Sequence, residues 1–186
     1  MSKAAIFFAD GFETIEGLTV VDLCRRAGID IVTVSVTDTK NVVTSHQIPL
    51  QTDITIDELD FDSMDMLILP GGMPGTPNLE ACEFLMEKLD DFYEAGKNIS
   101  AICAAPRIFG KRDYLRGRKA TCFPGVEKYL EGAHATGSKL EISDHIITSR
   151  GMGTAMDFGL AIVERLEGGE KAKQIAEQVT YEGWGK

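Results

Sequence analysis

Short apolar runs alternate along the chain with stretches whose apolar positions recur at helical spacing. A strand buried on both faces is a continuous apolar run, whereas an amphipathic helix repeats its apolar positions every three or four residues. The runs predict strands at residues 3–8, 30–36, 65–70, 98–103, 119–123, 139–143 and 145–149. The periodic stretches predict helices at residues 13–28, 81–97, 153–168 and 170–179, and another directly after residue 103. This alternation predicts a mostly parallel sheet covered on both faces, in a single α/β domain over residues 1–186.

Three local features are also predicted. The apolar stripe of the first helix is formed by Ile15, Leu18, Val21 and Leu23, with Gly28 as the stop signal. Residues 39–55 are polar and irregular, and a small hairpin is expected there. The strands on either side of Asp144 are expected to pair as a second hairpin.

The composition is that of an acidic globular protein. Of the 186 residues, 44% are hydrophobic and 26% charged, and the net charge is −10 with a pI of about 4.8. This charge disfavours nucleic acid and anionic membranes as partners, because both bind clustered Lys and Arg. No apolar run approaches the ~20 residues of a membrane span, and the N-terminus lacks the features of a secretion signal. We therefore expect a cytoplasmic protein.

The four cysteines are spread widely and contain no CxxC pair. A disulfide framework is not expected in a domain of this size with its own core. The three histidines do not stand at metal-ligand spacing from any cysteine, so no metal site is expected. The default interpretation of each cysteine is a buried and unreactive thiol.

Cys103 has a second interpretation, because it stands between a predicted buried strand and a predicted helix. A turn of this kind exposes a nucleophile, and the amides and dipole of the helix stabilise a thiolate and lower its pKa. Gly71 and Gly72 end another strand, where their backbone amides are free to approach an oxyanion closely. Glu13 and Glu16 follow the first strand and stand in the first turn of the next helix, where acids match the helix dipole. From the residues alone, packing and chemistry both stay open for this group.

Five segments together resemble one protein superfamily. They are AICAAP around Cys103, LILPGG at 67–72, DGFETIE at 10–16, VDLCRRAG at 21–28 and TSRGMGTAMDFGLAIVE at 148–164. In this order they resemble the DJ-1/ThiJ/PfpI superfamily, and in particular its small, single-domain DJ-1 and YajL-like branch. Each motif is weak alone, but the five in register cover nearly the whole chain.

The resemblance implies a flavodoxin-like three-layer α/β/α sandwich that forms a homodimer and needs no cofactor. It places Cys103 as the reactive, oxidation-prone cysteine and Glu16, rather than Glu13, as the protonated carboxyl that contacts the sulfur. It places the backbone amides of Gly72 and Ala104 around that sulfur. It also places Asp22 and Arg26 near the dimer interface and the pocket. Whether the face of Leu18, Val21 and Cys24 is a dimer contact or ordinary core stays open.

The chain departs from the superfamily pattern at three positions. Phe123 stands where some members have a histidine near the cysteine, so no Cys–His pair is available from that position. His46 stands where the animal branch has an arginine, and it is either a residue of the pocket mouth or a surface histidine. Ala104 replaces the histidine that follows the cysteine in protease-like branches, which argues against peptidase activity.

Two functions use the same residues. The resemblance implies either a cofactor-independent, glyoxalase III-like or deglycase-like enzyme acting on α-oxoaldehydes such as methylglyoxal, or a redox sensor or redox-regulated chaperone. In the enzyme, Cys103 would add to the aldehyde and Glu16 would move the proton. In the sensor, Cys103 would be oxidised without turnover. Cys122 is either a resolving thiol for Cys103 or a buried strand residue, and the latter is the simpler interpretation.

Overall fold

The computed structural model describes residues 1–185, and its backbone follows the predicted alternation of strands and helices. The strands are β1 (Lys3–Phe8), β2 (Asp30–Ser35), β3 (Asn41–Val43), β4 (Pro49–Gln51), β5 (Ile54–Thr55), β6 (Met66–Leu69), β7 (Asn98–Ile102), β8 (Lys119–Ala120), β9 (His134–Ala135), β10 (Leu140–Ser143) and β11 (Ile146–Ser149). The α-helices are α1 (Thr14–Ala27), α2 (Gly75–Glu80), α3 (Glu83–Glu94), α4 (Pro106–Lys111), α5 (Ala155–Glu167) and α6 (Gly169–Gln178). Short 3₁₀ turns lie at Ile56–Glu58, Phe61–Ser63, Glu127–Tyr129 and Met152–Thr154.

Seven strands form the central sheet in the order β10-β11-β7-β6-β1-β2-β5. All neighbours in it run parallel except β10 and β11, which form the predicted antiparallel hairpin around Asp144. The chain leaves β1 toward β2 on one side and returns to β6 on the other. The carboxyl ends of β1 and β6 therefore flank a topological switch point, where open α/β sheets form their sites.

Helices cover both faces of this sheet, which makes a three-layer sandwich. Successive side chains of a strand point to opposite faces, and β1 shows this alternation. Ile6 and Phe8 belong to the core beneath α1, α5 and α6, whereas Ala5 and Phe7 belong to the core beneath α3 and α4. Because both faces of β1 are buried, its sequence is the continuous apolar run expected for a central parallel strand.

The structure corrects four local predictions. Val21 and Leu23 of the predicted stripe are buried, but Ile15 and Leu18 are 49% and 42% exposed, so the buried face of α1 also includes Glu16, Val20 and Cys24 in their place. The helix predicted over 81–97, with its end at Gly96, is shorter and spans Glu83–Glu94, and Gly96 takes a left-handed backbone with φ of 67° directly after its last turn. Helix α2 was not predicted. The predicted strand at 119–123 shrinks to β8, which pairs with β9 outside the central sheet.

The remaining local predictions are confirmed. Helix α1 ends directly before Gly28, which takes a left-handed backbone. The segment 39–55 contains the small antiparallel hairpin β3–β4. The last two helices occupy the predicted stretches to within two residues at each end.

Candidate active site around Cys103

Three chain segments meet at the switch point of the sheet. Helix α1, which follows β1, supplies Glu16; the segment after β6 supplies Gly71 and Gly72; and the turn after β7 supplies Cys103. Their convergence follows from the topology, since β1, β6 and β7 are neighbouring parallel strands and end at the same edge. The sequence placed these residues at strand ends, and the fold brings them into contact.

The Cys103 backbone is held in an unusual conformation. Its φ is +66°, a left-handed value that a residue with a side chain seldom adopts. Two hydrogen bonds hold it there: the Cys103 N–H donates to the Ser149 carbonyl at 2.9 Å, and the Phe123 N–H donates to the Cys103 carbonyl at 2.8 Å. Strained residues of this kind cluster at active sites, and nucleophiles on strand-to-helix turns are one form of them.

The Glu16 carboxyl is fully buried and directly joined to this turn. Its Oε2 accepts a hydrogen bond from the Gly71 N–H at 2.9 Å. Its Oε1 is buried and has no hydrogen-bond partner among residues 1–185. The side chain also interacts with the Cys103 thiol, which lowers the pKa of Glu16. One oxygen is therefore held by the Gly71 backbone amide, and the other is free to carry a proton.

Burial dominates the ionisation of Glu16. Loss of hydration raises its pKa from 4.5 to about 7, although the hydrogen bonds from Cys103 and Gly71 work in the opposite direction. The carboxyl is thus protonated in a substantial fraction of molecules at neutral pH. A protonated carboxyl at Oε1 is a hydrogen-bond donor toward the sulfur.

The pKa of Cys103 is also raised, which contradicts the lowered value expected from its position before a helix. Burial is the main cause, and the Glu16 carboxylate adds to it; the amides of Gly72 and Ala104 work in the opposite direction. The two acids share one site and titrate as a pair. When the pair carries one negative charge, that charge lies mainly on Glu16, whose pKa is the lower of the two, and the amides of Gly72 and Ala104 stabilise the minor form with the charge on sulfur. A thiolate at Cys103 therefore requires a protonated Glu16.

The raised pKa of Glu16 makes the stability of the protein depend on pH. Its folded value of about 7 exceeds the ordinary 4.5, so this contribution to stability is complete below pH 4.5 and is lost as the pH rises through 7. Glu16→Gln removes the ionisation and keeps an acceptor for Gly71. We expect urea unfolding to show the variant more stable than the wild type at pH 8, by at most about 3 kcal/mol. The difference should vanish below pH 4.5; a difference independent of pH would contradict this assignment.

The packing around Gly71 leaves no room for a side chain. A methyl group there would lie 2.7 Å from Cys103 Cβ and 2.8 Å from Glu16 Oε2. We expect Gly71→Ala to destabilise the fold by about 1–3 kcal/mol, as other overpacked sites do, and to slow any reaction at Cys103. Gly153→Ala is the matched control, because nothing lies within 4 Å of its added methyl. Equal urea midpoints for the two variants would show that the Gly71 contact is not tight.

The structure assigns the Gly71 amide differently from the sequence prediction. Gly71, Gly72 and Ala104 were expected to offer their N–H groups to an oxyanion. The Gly71 N–H is already bound to Glu16, so it is not available to a substrate. The amides of Gly72 and Ala104 are directed at the Cys103 sulfur.

Cys103 lies in the wall of an open pocket of about 440 Å³. The predicted residues Gly72, Ala104 and Phe123 line it as well. Sequence reasoning did not place the charged and aromatic residues Glu13, Arg107, Lys128 and Tyr129 in the lining, nor the apolar Met73. Glu13 carried a signal, since it stands three residues before Glu16 at the same helix start. Met73 and Arg107 directly follow two of the motifs, whereas Lys128 and Tyr129 come from a segment without one.

Two predicted pocket candidates lie on the surface. Asp22 and Arg26 form an exposed ion pair one helical turn apart on α1, with Arg26 Nε 2.6 Å from Asp22 Oδ2. Neither lines the pocket of Cys103. Both residues lie on the exposed side of α1, whereas Glu16 lies on its buried side. Their predicted place near the dimer interface and the pocket stays a prediction.

His46 lies beside the pocket rather than in its lining. Its side chain is 73% exposed, and Nδ1 lies 3.8 Å from Glu13 Oε2. Ser45 links the two, because its hydroxyl donates to Glu13 Oε2 at 3.2 Å and lies 3.0 Å from His46 Nδ1. Among the residues that line the pocket, His46 therefore interacts with Glu13, directly and through Ser45.

Cys122 lies on the other side of the sheet from Cys103. It is buried in the core beneath α3 and α4, whereas Cys103 packs against the core beneath α1 and α5. Burial raises the pKa of Cys122 to about 12, so it carries little thiolate. A buried strand residue remains the simpler interpretation of Cys122.

Within residues 1–185, no helix is long and apolar enough to cross a membrane. In the same residues, no three His, Cys, Asp or Glu side chains converge as metal ligands would.

The family of the chain follows from its sequence as a whole. The model of the DJ-1/PfpI family matches residues 2–165. The chain therefore belongs to the DJ-1/PfpI family, as its motifs indicated, and its sandwich is the flavodoxin-like fold of that family.

Individual relatives agree with this assignment. Protein DJ-1 homolog B of Arabidopsis thaliana is 37% identical over 94% of this chain, which spans only about two fifths (40%) of the plant protein. Caenorhabditis elegans DJR-1.2, named a glutathione-independent glyoxalase, is 31% identical over 88% of this chain and 87% of its own. The structure of oxidised Toxoplasma gondii DJ-1 superposes with a TM-score of 0.93 at 32% identity, covering 98% of this chain and all (100%) of that one.

Proposed function

We propose that the protein is a cofactor-independent, glyoxalase III-like enzyme that converts small α-oxoaldehydes such as methylglyoxal into 2-hydroxy acids. The observation that carries the proposal is the hydrogen-bonded pair of Cys103 and Glu16 on the wall of an open pocket. The pair supplies a nucleophile and an acid–base group whose pKa lies near neutral pH, which is where such a group works best. The glyoxalase name of the nematode relative supports the same activity.

The first step is addition of sulfur to the aldehyde. With the charge of the pair on sulfur and the proton on Glu16, the thiolate forms a C–S bond to the aldehyde carbon. The carbonyl oxygen becomes an alkoxide and takes the proton of Glu16, which gives a hemithioacetal. As the C–S bond forms, the negative charge moves from the sulfur to the carbonyl oxygen. The N–H groups of Gly72 and Ala104 then donate hydrogen bonds to this oxyanion instead of to the sulfur.

The second step moves a proton between two carbons. The Glu16 carboxylate removes the proton from the former aldehyde carbon, which gives an enediolate, and returns it to the neighbouring ketone carbon. The hydroxyl proton on the first carbon passes to the former ketone oxygen, so the first carbon becomes the thioester carbonyl and the second carries the hydroxyl. The first carbon is oxidised and the second reduced, so no external oxidant or reductant enters. The product is a 2-hydroxy thioester on Cys103, and water hydrolyses it to lactate and the free thiol.

The test is lactate formation from methylglyoxal by the reduced protein, with EDTA present and no glutathione or other thiol. Wild-type protein is expected to form lactate at a rate proportional to enzyme concentration. Folded, reduced protein that consumes methylglyoxal only at the rate of the buffer would overturn the proposal. Protein glycation adducts can be offered in the same assay, since a deglycase-like activity would use the same pair.

A redox sensor or redox-regulated chaperone is the second candidate, and the contact between a protonated carboxyl and the sulfur favours it. The Cys103 sulfur would attack peroxide, break the O–O bond and become a sulfenic acid, and a second peroxide would give the sulfinate. Glu16 would donate a hydrogen bond to the sulfinate oxygen. Peroxide titration followed by mass spectrometry of the Cys103 peptide tests this, and sulfinate without methylglyoxal turnover would favour the sensor.

We propose further that the protein is a cytoplasmic homodimer. The exposure of Ile15 and Leu18 on α1 supports the dimer, because large apolar side chains grouped on a surface mark contact sites. Sedimentation equilibrium tests it, and a mass of 20.3 kDa, that of one chain, at micromolar concentration would contradict it.

A further inference from the structure

One wall of the Cys103 pocket is cationic. Tyr129 is surrounded by three positive charges: the Arg107 guanidinium lies 5.1 Å from the ring centroid, Lys128 Nζ lies 5.0 Å from it, and Lys111 Nζ lies 5.5 Å from it. Arg107, Lys128 and Tyr129 also line the pocket. Such a group is unexpected in a protein with a net charge of −10.

The positive charges of this wall are only partly neutralised. Glu80 pairs with both Arg107 and Lys111, and the Nε and Nη2 of Arg107 donate to Glu80 Oε2 at 3.0 and 2.6 Å. Lys128 has no carboxylate within ion-pair distance among residues 1–185, and over that range Arg107 Nη1 makes no hydrogen bond. Among the charged residues of this wall that line the pocket, Arg107 is therefore balanced by Glu80 but keeps an unused donor, whereas Lys128 has no carboxylate partner.

Glu80 also fixes the position of Arg107. An arginine held by two hydrogen bonds loses little side-chain entropy when a ligand binds its remaining nitrogen, so it is preorganised. Glu13, the acidic residue of the pocket, comes from the loop after β1 and is bound by Ser45. A negatively charged ligand is thus repelled from Glu13 and attracted to the wall of Arg107 and Lys128.

We infer that the preferred substrates are α-oxoaldehydes that carry a carboxylate at the end away from the aldehyde. The inference rests on the proposed function: the aldehyde reacts at Cys103 while Arg107 and Lys128 bind the carboxylate. Methylglyoxal carries no anionic group, so it forms no ion pair with Arg107 or Lys128. For 4,5-dioxopentanoate the reaction adds one water and gives 2-hydroxyglutarate, with the aldehyde carbon oxidised and the ketone carbon reduced.

Steady-state kinetics test the preference. The two substrates are 4,5-dioxopentanoate and the neutral 2-oxopentanal, which has the same chain length. We expect wild-type kcat/KM to be at least about tenfold higher for the carboxylate, which is ~1.4 kcal/mol, and the ratio to fall with ionic strength. Lys128→Met should lower the ratio about tenfold, mainly through KM, while Lys173→Met on α6 serves as the matched surface control. Equal kcat/KM values for the two substrates would overturn the inference.

A binding measurement separates this inference from the proposed function. Levulinate (4-oxopentanoate) has the carboxylate but no aldehyde, and 2-pentanone is its neutral counterpart. Calorimetry should show saturable levulinate binding that is weakened by Lys128→Met and by Arg107→Gln, and no binding of 2-pentanone at the same concentration. Levulinate binding without turnover of either aldehyde would refute the proposed enzymatic activity but support the carboxylate-binding site at Arg107 and Lys128. Turnover of both aldehydes without levulinate binding would keep the enzyme and refute the site.

Discussion

Cys103→Ala is expected to lower methylglyoxal turnover by at least about 1,000-fold, to the rate of the buffer. The loss is this large because the C–S bond starts the reaction, and removing a nucleophile takes away every step that follows it. No other described cysteine lines the pocket: Cys122 lies on the other face of the sheet, and Cys24 is fully buried in the core beneath α1. The measurement is the initial rate of lactate formation without added thiol.

The fold should survive this substitution. Alanine keeps the Cβ that the turn already accommodates, and the two backbone hydrogen bonds that hold the turn do not involve the sulfur. We expect the free energy of unfolding to change by less than about 2 kcal/mol, as for the loss of one partly buried group. Cys82→Ala is the matched control, since Cys82 is also partly exposed and lies outside the pocket. Lactate formation by folded Cys103→Ala at even a tenth of the wild-type rate would remove Cys103 from the mechanism.

Glu16→Gln is expected to slow turnover by about 100- to 10,000-fold, the usual contribution of a general acid–base group. Glutamine has nearly the same shape and keeps an acceptor for the Gly71 N–H, so the geometry of the site should be retained. It cannot carry a proton between two carbons. The loss should appear in both kcat and kcat/KM, because Glu16 also protonates the alkoxide when the thiolate adds to the aldehyde.

The pH profile distinguishes this role from a structural one. Wild-type kcat/KM should show an inflection near pH 7, where the Cys103–Glu16 pair loses its first proton. The inflection should be absent in Glu16→Gln. Glu13→Gln is the control, because Glu13 also lines the pocket but is not bound to the sulfur. An unchanged rate in Glu16→Gln would show that another group moves the proton.

The sequence predicted those parts of the site that depend on local pattern and topology. Buried parallel strands are continuous apolar runs, so β1, β6 and β7 were recognisable, and their ends must meet at one edge. Cys103 and the two glycines stand directly after such ends. The choice of Glu16 over Glu13 came from the motif. The structure adds a physical reason, since only Glu16 lies on the buried side of α1.

Other features depend on contacts between distant segments, which a local pattern does not contain. The raised pKa of Cys103 arises from burial and from Glu16, 87 positions earlier, and these outweigh the two amides that the position suggested. Half of the predicted apolar stripe of α1 was wrong, because Ile15 and Leu18 face outward while the charged Glu16 faces inward. The cationic wall joins Arg107 of α4 to Lys128 of a 3₁₀ turn, two segments that are far apart in the sequence.

Acid-quenched mass spectrometry of the Cys103 peptide during methylglyoxal turnover shows directly whether the reaction passes through a thioester on Cys103. A hemithioacetal reverts in acid, but a thioester survives, so the quench isolates the product of the proton transfer. We expect a lactoyl thioester on Cys103 that appears before free lactate and is absent in Glu16→Gln. Steady lactate formation with the Cys103 peptide unmodified at every quench time would contradict it.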